Sequence, residues 1–297
     1  MGTPLDASYS QCRRITRDSA TSFYYSFLLL GRDQRRSMCA LYAFLRRTDD
    51  LGDGPETLAV RREAVTRWRS ALRKAWNGDF DDPILPALAD TVERHSIPRE
   101  YLEAVIDGVE MDLAETHYET FDDLALYCHR VASVVGLACI HIWGFRGEEA
   151  FEPARQCGLA FQLTNILRDL KEDAQRGRVY LPAEDLRRFD CTPADLESPA
   201  KDGRFQALMR FEIERAEGFY RQAQALPQWL APAGRAVYGA MWETYRSLLA
   251  EIKRRDGDVF TSRVRLSAWR KLRIAARSLL ASPSRARADN AVGVLRR

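Results

Sequence analysis

At 297 residues the chain is longer than a usual domain, although a single large helical domain can reach that length. Its residues are 46% hydrophobic and 29% charged, which fits a globular protein with a sizeable core. The formal net charge of +3 is too small to indicate nucleic acid as the main partner, so we expect none.

The charge is unevenly distributed along the chain. From Thr261 to the end there are ten Arg or Lys residues against one acid, a local balance of +9, so the first 260 residues carry 3 − 9 = −6. A basic tail over 276–297 favours either a peripheral contact with anionic lipid headgroups or a solvated terminal helix, and both interpretations stay open.

The cysteines and the apolar runs bear on location. None of the six cysteines forms a Cys-x-x-Cys pair, and Cys39, Cys128 and Cys139 fall in segments predicted to be buried helix, which favours reduced thiols. The first residues contain no apolar run typical of a secretory signal. The longest apolar stretch, Val131–Phe145, has 15 residues, whereas a membrane-spanning helix needs about 20. We therefore expect a cytoplasmic protein, at most peripheral at the inner face of the membrane.

Apolar residues recur at helical spacing along most of the chain, and no alternating strand pattern occurs. The sequence predicts one all-α domain over 1–297, with a core of about residues 12–275, about eight helices and irregular segments near 77–83 and 177–200. The predicted helices are Arg35–Leu51, Leu58–Trp76, Tyr101–Thr116, Phe121–Trp143, Glu148–Ala174, Phe205–Ala225, Ala231–Arg254 and Arg263–Leu280.

A first acidic stripe lies in the helix predicted over Arg35–Leu51 and just beyond it. Tyr42, Arg46, Asp49 and Asp53 recur at helical spacing and share one face, with Asp50 at its edge. Clustered carboxylates repel one another unless a cation or solvent screens them. A solvated helix face is the simplest alternative, but the preceding turns are nearly all apolar, which favours a buried helix facing an ion-containing cavity.

A second stripe repeats this design in the helix predicted over Glu148–Ala174. Gln162, Asn165, Asp169 and Asp173 share one face, and apolar residues cover much of the rest. Carboxylate and amide oxygens are hard donors suited to Mg²⁺, which fills its coordination shell with water and substrate phosphate. Two such helices facing each other would bind Mg²⁺ and a diphosphate. The arginines placed to neutralise the remaining phosphate charge are Arg46, Arg168 and Arg178.

These motifs resemble those of the squalene/phytoene synthases, the head-to-head prenyl diphosphate synthases. Residues 42–53 are similar to the family's first aspartate-rich motif, and 162–173 followed by 177–182 to its second. Further similarities lie at 22–24, 127–136, 245 and 260–263, in the family's order and over nearly the whole chain. The resemblance implies an isoprenoid-synthase-type helical bundle with a central cavity.

The resemblance also assigns roles to individual residues. It implies that Mg²⁺, for which Mn²⁺ can substitute, binds to Asp49, Asp50, Asp53, Asn165, Asp169 and Asp173. It implies that diphosphate or its water shell contacts Ser22, Tyr42, Arg46, Gln162, Arg168, Arg178, Tyr245 and Arg263. Tyr127 matches a tyrosine beside the reacting carbons, although a core aromatic is the alternative, and Asp49, Asp169 and Arg168 complete the catalytic set.

This sequence departs from the family pattern at two places. Ala20 and Thr21 stand where some relatives carry a serine and a basic residue. Gly52 lies inside the first motif, where an aliphatic residue is usual, and is expected to loosen that helical turn.

The expected activity is a Mg²⁺-dependent head-to-head condensation of two farnesyl diphosphates to presqualene diphosphate, with NADPH used only if the reaction continues to squalene. The residues Arg-Val-Ala-Ser at 130–133 resemble those of bacterial presqualene diphosphate synthases more than those of plant-type phytoene synthases, which favours this product. The alternative is a phytoene synthase that condenses two geranylgeranyl diphosphates. Prenyl diphosphates are the expected partners in either case, and the sequence predicts no oligomeric state.

Proteins of other classes fit the sequence less well. A non-catalytic assembly factor with the same fold would have lost the aspartates, which are intact here. A helical di-iron protein would need Glu-x-x-His motifs, and the chain has none. A head-to-tail prenyltransferase or terpene cyclase is nearer, because Asn165, Asp169 and Asp173 resemble a cyclase's second metal motif, but the flanking residues favour the head-to-head family.

Overall fold

The computed structural model describes residues 3–19, 26–114, 117–198, 203–267, 270 and 273–274. In these ranges the protein contains α-helices, short 3₁₀ segments and one π-helical turn, and no β-strand beyond an isolated bridge between Phe145 and Leu230. The eleven α-helices are α1 (Pro4–Ser19), α2 (Arg32–Asp53), α3 (Leu58–Ala75), α4 (Leu85–Arg94), α5 (Arg99–Leu113), α6 (Phe121–Cys128), α7 (Val134–Trp143), α8 (Phe151–Ala174), α9 (Ala183–Arg188), α10 (Arg204–Ala223) and α11 (Pro232–Arg254).

Helices α6 and α7 join through the π-helical turn His129–Ser133 into one helical run, Phe121–Trp143. This run has 23 residues and a hydropathy of 1.5, enough by length and composition to cross a membrane. The sequence prediction, which measured only Val131–Phe145, therefore underestimated its length. Half of the apolar window is buried inside the fold, where the run packs between α5 and α8 as a core helix does.

Helix α2 is fixed by its packing on α3. The rings of Phe44 and Trp68 stack with centroids 5.8 Å apart. The indole N–H of Trp68 donates to Thr48 Oγ1 at 2.9 Å, and Thr48 donates in turn to the carbonyl of Phe44. Because this face of α2 is buried on α3, the first acidic stripe is turned the other way.

Helix α8 is fixed in the same manner by its long contact with α10. Its apolar side is buried, and the Thr164 hydroxyl lies 2.9 Å from that of Tyr220, a residue with no solvent exposure. Helix α5 packs on α2 and on the π-helical turn, and the turn packs on α8. The two striped helices are thus separated by α5 and the turn, and the region between the two stripes is called the cleft.

The structure differs from the sequence prediction in several elements. The prediction of about eight helices was too low, because α1, α4 and α9 were missed, and α9 lies in the segment predicted to be irregular. A helix was predicted from Arg263, but residues 263–267 are not helical, and most of the remaining C-terminal segment lies outside the described residues, including the tail 276–297. All six cysteines are buried, and Cys39, Cys128 and Cys139 lie in helices, as predicted.

Candidate active site

The first stripe lies along the C-terminal half of α2. Arg46 pairs with Asp50 at 2.6 Å, one turn apart, and Tyr42 is half-buried one turn before. Part of the Asp49 side chain is accessible to solvent, but protein atoms surround its carboxylate on most sides. This burial, with the negative charge of Asp53 beside it, raises the pKa of Asp49 to about 7. An aspartate that resists ionisation in the ligand-free protein is the kind of group that gains from a bound cation.

The second stripe lies along α8 and is more deeply set. Asp169 accepts a hydrogen bond from Arg168 Nε at 2.9 Å and another from Arg263 at 2.9 Å. Burial and the nearby charge of Asp169 raise the pKa of Asp173 to about 7. Arg263 also pairs with Glu172 at 3.1 Å, which ties the segment after α11 to α8.

A direct ion pair joins the two sides of the cleft. Arg178 donates to Asp53 at 2.7 Å, although the two residues are 125 positions apart. The chain returns over the end of α8 because Gly177 adopts a positive φ of 74°, and the N–H of Arg178 then donates to the carbonyl of Asp173 at 2.9 Å. The structure therefore brings the ends of the two aspartate-rich motifs together across the cleft.

A further carboxylate, Asp112 on α5, lies near both stripes and was not predicted from the sequence. It accepts hydrogen bonds from the hydroxyls of Tyr180 at 2.7 Å and Tyr127 at 3.0 Å. Burial raises the pKa of Asp112, and its charge in turn disfavours ionisation of Asp49 and Asp173. A signal was available, because Asp112 lies on the side of α5 opposite the acidic face formed by Glu103, Asp107 and Glu110.

Aromatic rings form one wall beside Asp112. Tyr127 and Tyr180 stack with centroids 5.2 Å apart, and Tyr118 packs on both at 5.6 and 6.2 Å. Burial raises the pKa of Tyr127 well above its usual value, so its hydroxyl stays protonated. On the α8 side, Tyr245 stacks on Phe161 at 4.2 Å. Of these rings, those of Tyr127 and Tyr245 belong to site residues predicted from the sequence.

The polar residues fit a magnesium site that is completed by its ligand. Among the described residues no three His, Cys, Asp or Glu side chains are gathered closely enough to hold a metal ion by themselves. Mg²⁺ commonly takes only one or two carboxylates and completes its shell with water and phosphate oxygens, so carboxylates spread over two walls suit it. Asn165 Oδ1 is buried and lacks a hydrogen-bond partner, which leaves an oxygen of the second stripe available to a cation.

One pocket lies beside the second stripe, and another lies on the face of α2 that packs against α3. A cavity of about 290 Å³ opens beside the second stripe, lined in part by Arg168, Lys171 and Arg263. Another, of about 510 Å³, lies between α2 and α3 and includes Arg47 and Trp68. Neither is the space between the two stripes, so the predicted central cavity stays a prediction.

The remaining predicted site residues are only partly located. Gln162 is half-buried on α8, with its Oε1 3.5 Å from Asn165 Nδ2. Ser22 lies outside the described residues, as do Ala20 and Thr21.

The all-α fold brings the two aspartate-rich helices to one region, with arginines on both sides, as the sequence motifs predicted. The sequence profile of the squalene/phytoene synthase family matches residues 16–270, and the chain belongs to that family, whose members are prenyltransferases. This confirms the family suggested by the motifs.

Individual relatives agree with this assignment. The chain is 38% identical over 287 residues to a phytoene synthase of Arthrospira platensis, covering 92% of this chain and 93% of that protein. It is 36% identical to the 15-cis-phytoene synthase of Synechococcus elongatus, covering 90% of this chain and 91% of that protein.

Among solved structures, a dehydrosqualene synthase superposes with a TM-score of 0.84 at 27% identity, covering 95% of this chain and all of the other. The squalene synthase of Alicyclobacillus acidocaldarius superposes with a TM-score of 0.80 at 26% identity, covering 86% and 97%.

Proposed function

We propose that this protein is a Mg²⁺-dependent phytoene synthase, which condenses two geranylgeranyl diphosphates head to head to a C40 hydrocarbon and releases diphosphate. The cleft between the two aspartate stripes, bridged by Arg178 and Asp53, is the observation that supports diphosphate chemistry. The preference for C20 substrates rests on two phytoene synthases. One is 38% identical and covers 92% of the chain, and the other is 36% identical and covers 90% of it.

These relatives favour the alternative product over the presqualene diphosphate expected from the sequence. That expectation rested on the residues at 130–133. In the structure, the last of them, Ser133, contributes to helix packing. Ser133 is fully buried in the π-helical turn, and its hydroxyl donates to the carbonyl of Arg155 at 2.8 Å. The identity of a residue in such a position depends on how closely the helices pack, so it does not indicate the length of the prenyl chain.

The residues of the two stripes would hold the metal and, through it, the diphosphates. Mg²⁺ bound by Asp49, Asp53, Asn165, Asp169 and Asp173 would withdraw charge from a diphosphate and so weaken its allylic carbon–oxygen bond. Arg168, Arg178 and Arg263 already lie beside these aspartates in ion pairs of the ligand-free cleft. On binding, each guanidinium can turn from a carboxylate to a phosphate oxygen, which stabilises the departing diphosphate.

The wall of Tyr118, Tyr127 and Tyr180 would stabilise the allylic cation that this ionisation leaves. Aromatic faces attract cations, and the half-buried carboxylate of Asp112, which accepts hydrogen bonds from Tyr127 and Tyr180, adds a negative charge beside the rings. The double bond of the second prenyl chain then attacks the cation, and loss of a proton from the resulting cation closes the cyclopropane ring of a cyclopropylcarbinyl diphosphate. A second ionisation and rearrangement follow, and loss of a proton forms the central double bond without any reductant.

A second candidate is the C30 reaction on two farnesyl diphosphates. The observation that favours it is the structural similarity to a dehydrosqualene synthase and a squalene synthase, at 27% and 26% identity. The lower identity over a similar part of the chain makes it the weaker candidate. NADPH would be used only if this route continued to squalene.

The test is product identification with purified protein and Mg²⁺, offering geranylgeranyl or farnesyl diphosphate separately, with and without NADPH. We expect C40 phytoene from geranylgeranyl diphosphate, unchanged by NADPH. A C30 product from farnesyl diphosphate alone would support the second candidate. No product from either substrate, with Mn²⁺ also tried, would contradict both and favour a non-catalytic role.

We also propose that the protein works in the cytoplasm, with a peripheral contact at the membrane that holds its long-chain substrate and product. The basic balance of the C-terminal segment supports this contact. Removal of residues 276–297 is expected to reduce binding to vesicles with anionic lipid. Equal binding by the shortened protein would contradict the contact.

A further inference from the structure

Three glycines near the site residues lie so close to a neighbouring element that a side chain would not fit. They are found on α2, α5 and α8, the three helices that carry the two stripes and Asp112. A Cβ added at each would lie 2.6 Å from Val109 Cγ1 for Gly52, 2.5 Å from Val131 Cγ1 for Gly108 and 2.4 Å from Ser133 Cα for Gly158.

The three contacts connect the two walls of the cleft in sequence. The first joins α2 to α5, the second joins α5 to the π-helical turn, and the third joins the turn to α8. Each glycine is also adjacent to a site residue in space. Gly52 precedes Asp53, and Gly108 and Gly158 lie one turn before Asp112 and Gln162, on the same faces of their helices. The separation of the two stripes is therefore the sum of three close approaches between helices.

Gly52 is the most informative of the three. Glycine inside a helix is less favourable than alanine, so its presence in the middle of an aspartate stripe calls for a packing reason. Val109 supplies one, since its methyl group occupies the space that a side chain at position 52 would need. Both residues are buried, and Val109 lies one turn from Asp112, which accepts the two tyrosine hydroxyls.

We propose that the contact between Gly52 and Val109 is a positioning device, which sets how closely the Asp49–Asp53 end of α2 approaches Asp112 on α5. It thereby sets the spacing of the oxygens that bind Mg²⁺ and diphosphate across the cleft. This inference rests on the proposed function, because it concerns the ligands that the proposed reaction requires. Gly52 and Val109 touch neither ligand and act through the carboxylates beside them.

A complementary pair of variants tests this role. Gly52→Ala forces Val109 and α2 apart, and the double variant Gly52→Ala/Val109→Ala returns the space. The two readouts are the Mg²⁺ concentration for half-maximal activity and the rise in melting temperature produced by Mg²⁺ with inorganic diphosphate. We expect Gly52→Ala to raise that concentration about tenfold, as is usual when support of a metal ligand is lost, and to halve the rise in melting temperature. The double variant should restore both.

Gly239→Ala on α11 is the matched control, because a Cβ there meets nothing within 4 Å. It changes helix propensity alone and should leave both readouts as in the unmodified protein. A Gly52→Ala protein with an unchanged Mg²⁺ response, or a double variant no better than the single one, would overturn the positioning role. If Gly52→Ala does not fold, Val109→Ala alone tests the contact by freeing α2 to shift, and an unchanged response in it would overturn the role equally.

The stabilisation readout uses inorganic diphosphate and no prenyl chain. A wrong chain length would therefore contradict the proposed function while leaving this comparison intact. Conversely, an unchanged Mg²⁺ response in the variants would overturn the positioning role while phytoene formation stood.

Discussion

The hydroxyl of Tyr127 donates a hydrogen bond of 3.0 Å to the carboxylate of Asp112, a residue that belongs to neither aspartate stripe. Tyr180, whose ring stacks on that of Tyr127, donates to the other oxygen of the same carboxylate at 2.7 Å. The carboxylate thus orients both rings, and the rings partly shield it from water. In the proposed reaction this group faces the carbocation rather than the diphosphate.

Removing the charge of Asp112 should impair turnover more than folding. Asp112→Asn keeps the size of the side chain but loses the anion, so we expect kcat to fall about 100-fold or more, as when one electrostatic contact to a transition state is lost. The melting temperature should stay within a few degrees, because a buried charge is removed at the same time. Steady-state kinetics and thermal unfolding check both expectations.

Tyr127→Phe tests the same relationship from the tyrosine side, and Tyr9→Phe is its matched control. Tyr9 is also buried and donates to a carboxylate, that of Asp90 at 2.5 Å, but it lies on α1 away from the cleft. We expect Tyr127→Phe to lower kcat and Tyr9→Phe to lower only stability, by about 1 kcal/mol. Equal kcat values in the two variants would contradict a catalytic role for Tyr127.

Neutralising an aspartate should change the stability of the protein differently for the two stripes. Asp49→Asn relieves repulsion in a site where ionisation is already disfavoured, so the ligand-free protein should become slightly more stable. Asp169→Asn leaves Arg168 and Arg263 with a neutral partner and should cost about 1–3 kcal/mol. Both should lose turnover by at least about 100-fold, because each removes a proposed metal ligand.

Asp50→Asn is the comparison for these two variants. Asp50 lies next to Asp49 but at the edge of the stripe, where it pairs with Arg46 on the exposed side. We expect a smaller loss of activity in Asp50→Asn than in Asp49→Asn. A loss as large as that of Asp49→Asn would place Asp50 among the principal metal ligands.

Arg178 should matter for both substrate binding and the charge balance of the cleft. Its guanidinium pairs with Asp53, and its positive charge partly offsets the burial that raises the pKa of Asp112 and of Asp173. Arg178→Gln is expected to raise KM about 10- to 100-fold through lost phosphate contacts, and to lower kcat as well. Arg187→Gln, which removes an exposed ion pair with Glu119, is the control and should leave both constants unchanged.

The site residues that could be predicted from the sequence are those that belong to a repeated pattern. Asp49, Asp53, Asp169 and Asp173 recur at helical spacing, and two similar stripes in one chain are a strong pattern. Asp112 is a lone carboxylate among other acids of α5, and its importance depends on contacts with residues distant in the chain, which spacing does not reveal.

The fold was predictable where helices bury apolar faces and less so elsewhere. Helix α1 was missed because its inner face is made in part of Ser8, Cys12 and Thr16, small side chains that hydrophobic periodicity does not register. Their polar atoms find partners only after folding, as when Ser8 Oγ accepts the N–H of Ala87 at 3.0 Å. Helix α9 is too short for periodicity and depends on long-range contacts.

One of those contacts gives a pH prediction away from the cleft. Glu212 on α10 and Asp185 on α9 are both buried and share the single cation Arg215. Burial, with Asp185 beside it, raises the pKa of Glu212 to about 8. The folded protein therefore holds a proton that the unfolded chain releases above the ordinary glutamate pKa of 4.5. Stability should accordingly fall as the pH rises from that value through about 8.

Thermal unfolding as a function of pH measures this effect. Glu212→Gln should flatten the decrease, because glutamine keeps the shape of the protonated acid without titrating. Glu217→Gln on the same helix removes a partly exposed carboxylate paired with Lys253 and should keep the slope of the unmodified protein. The same slope in Glu212→Gln and the unmodified protein would show that Glu212 is ionised throughout this range.

The most direct test of the central proposal is a competition in one vessel, with equal concentrations of farnesyl and geranylgeranyl diphosphate, Mg²⁺ and no reductant. The ratio of C40 to C30 products, measured by mass spectrometry after phosphatase treatment, gives the ratio of specificities, and Asp169→Asn serves as the inactive control. We predict phytoene as the main product by at least about tenfold, an energy difference of about 1.4 kcal/mol. A predominance of presqualene alcohol or another C30 product would contradict the proposed phytoene synthase and assign the cleft to farnesyl chains.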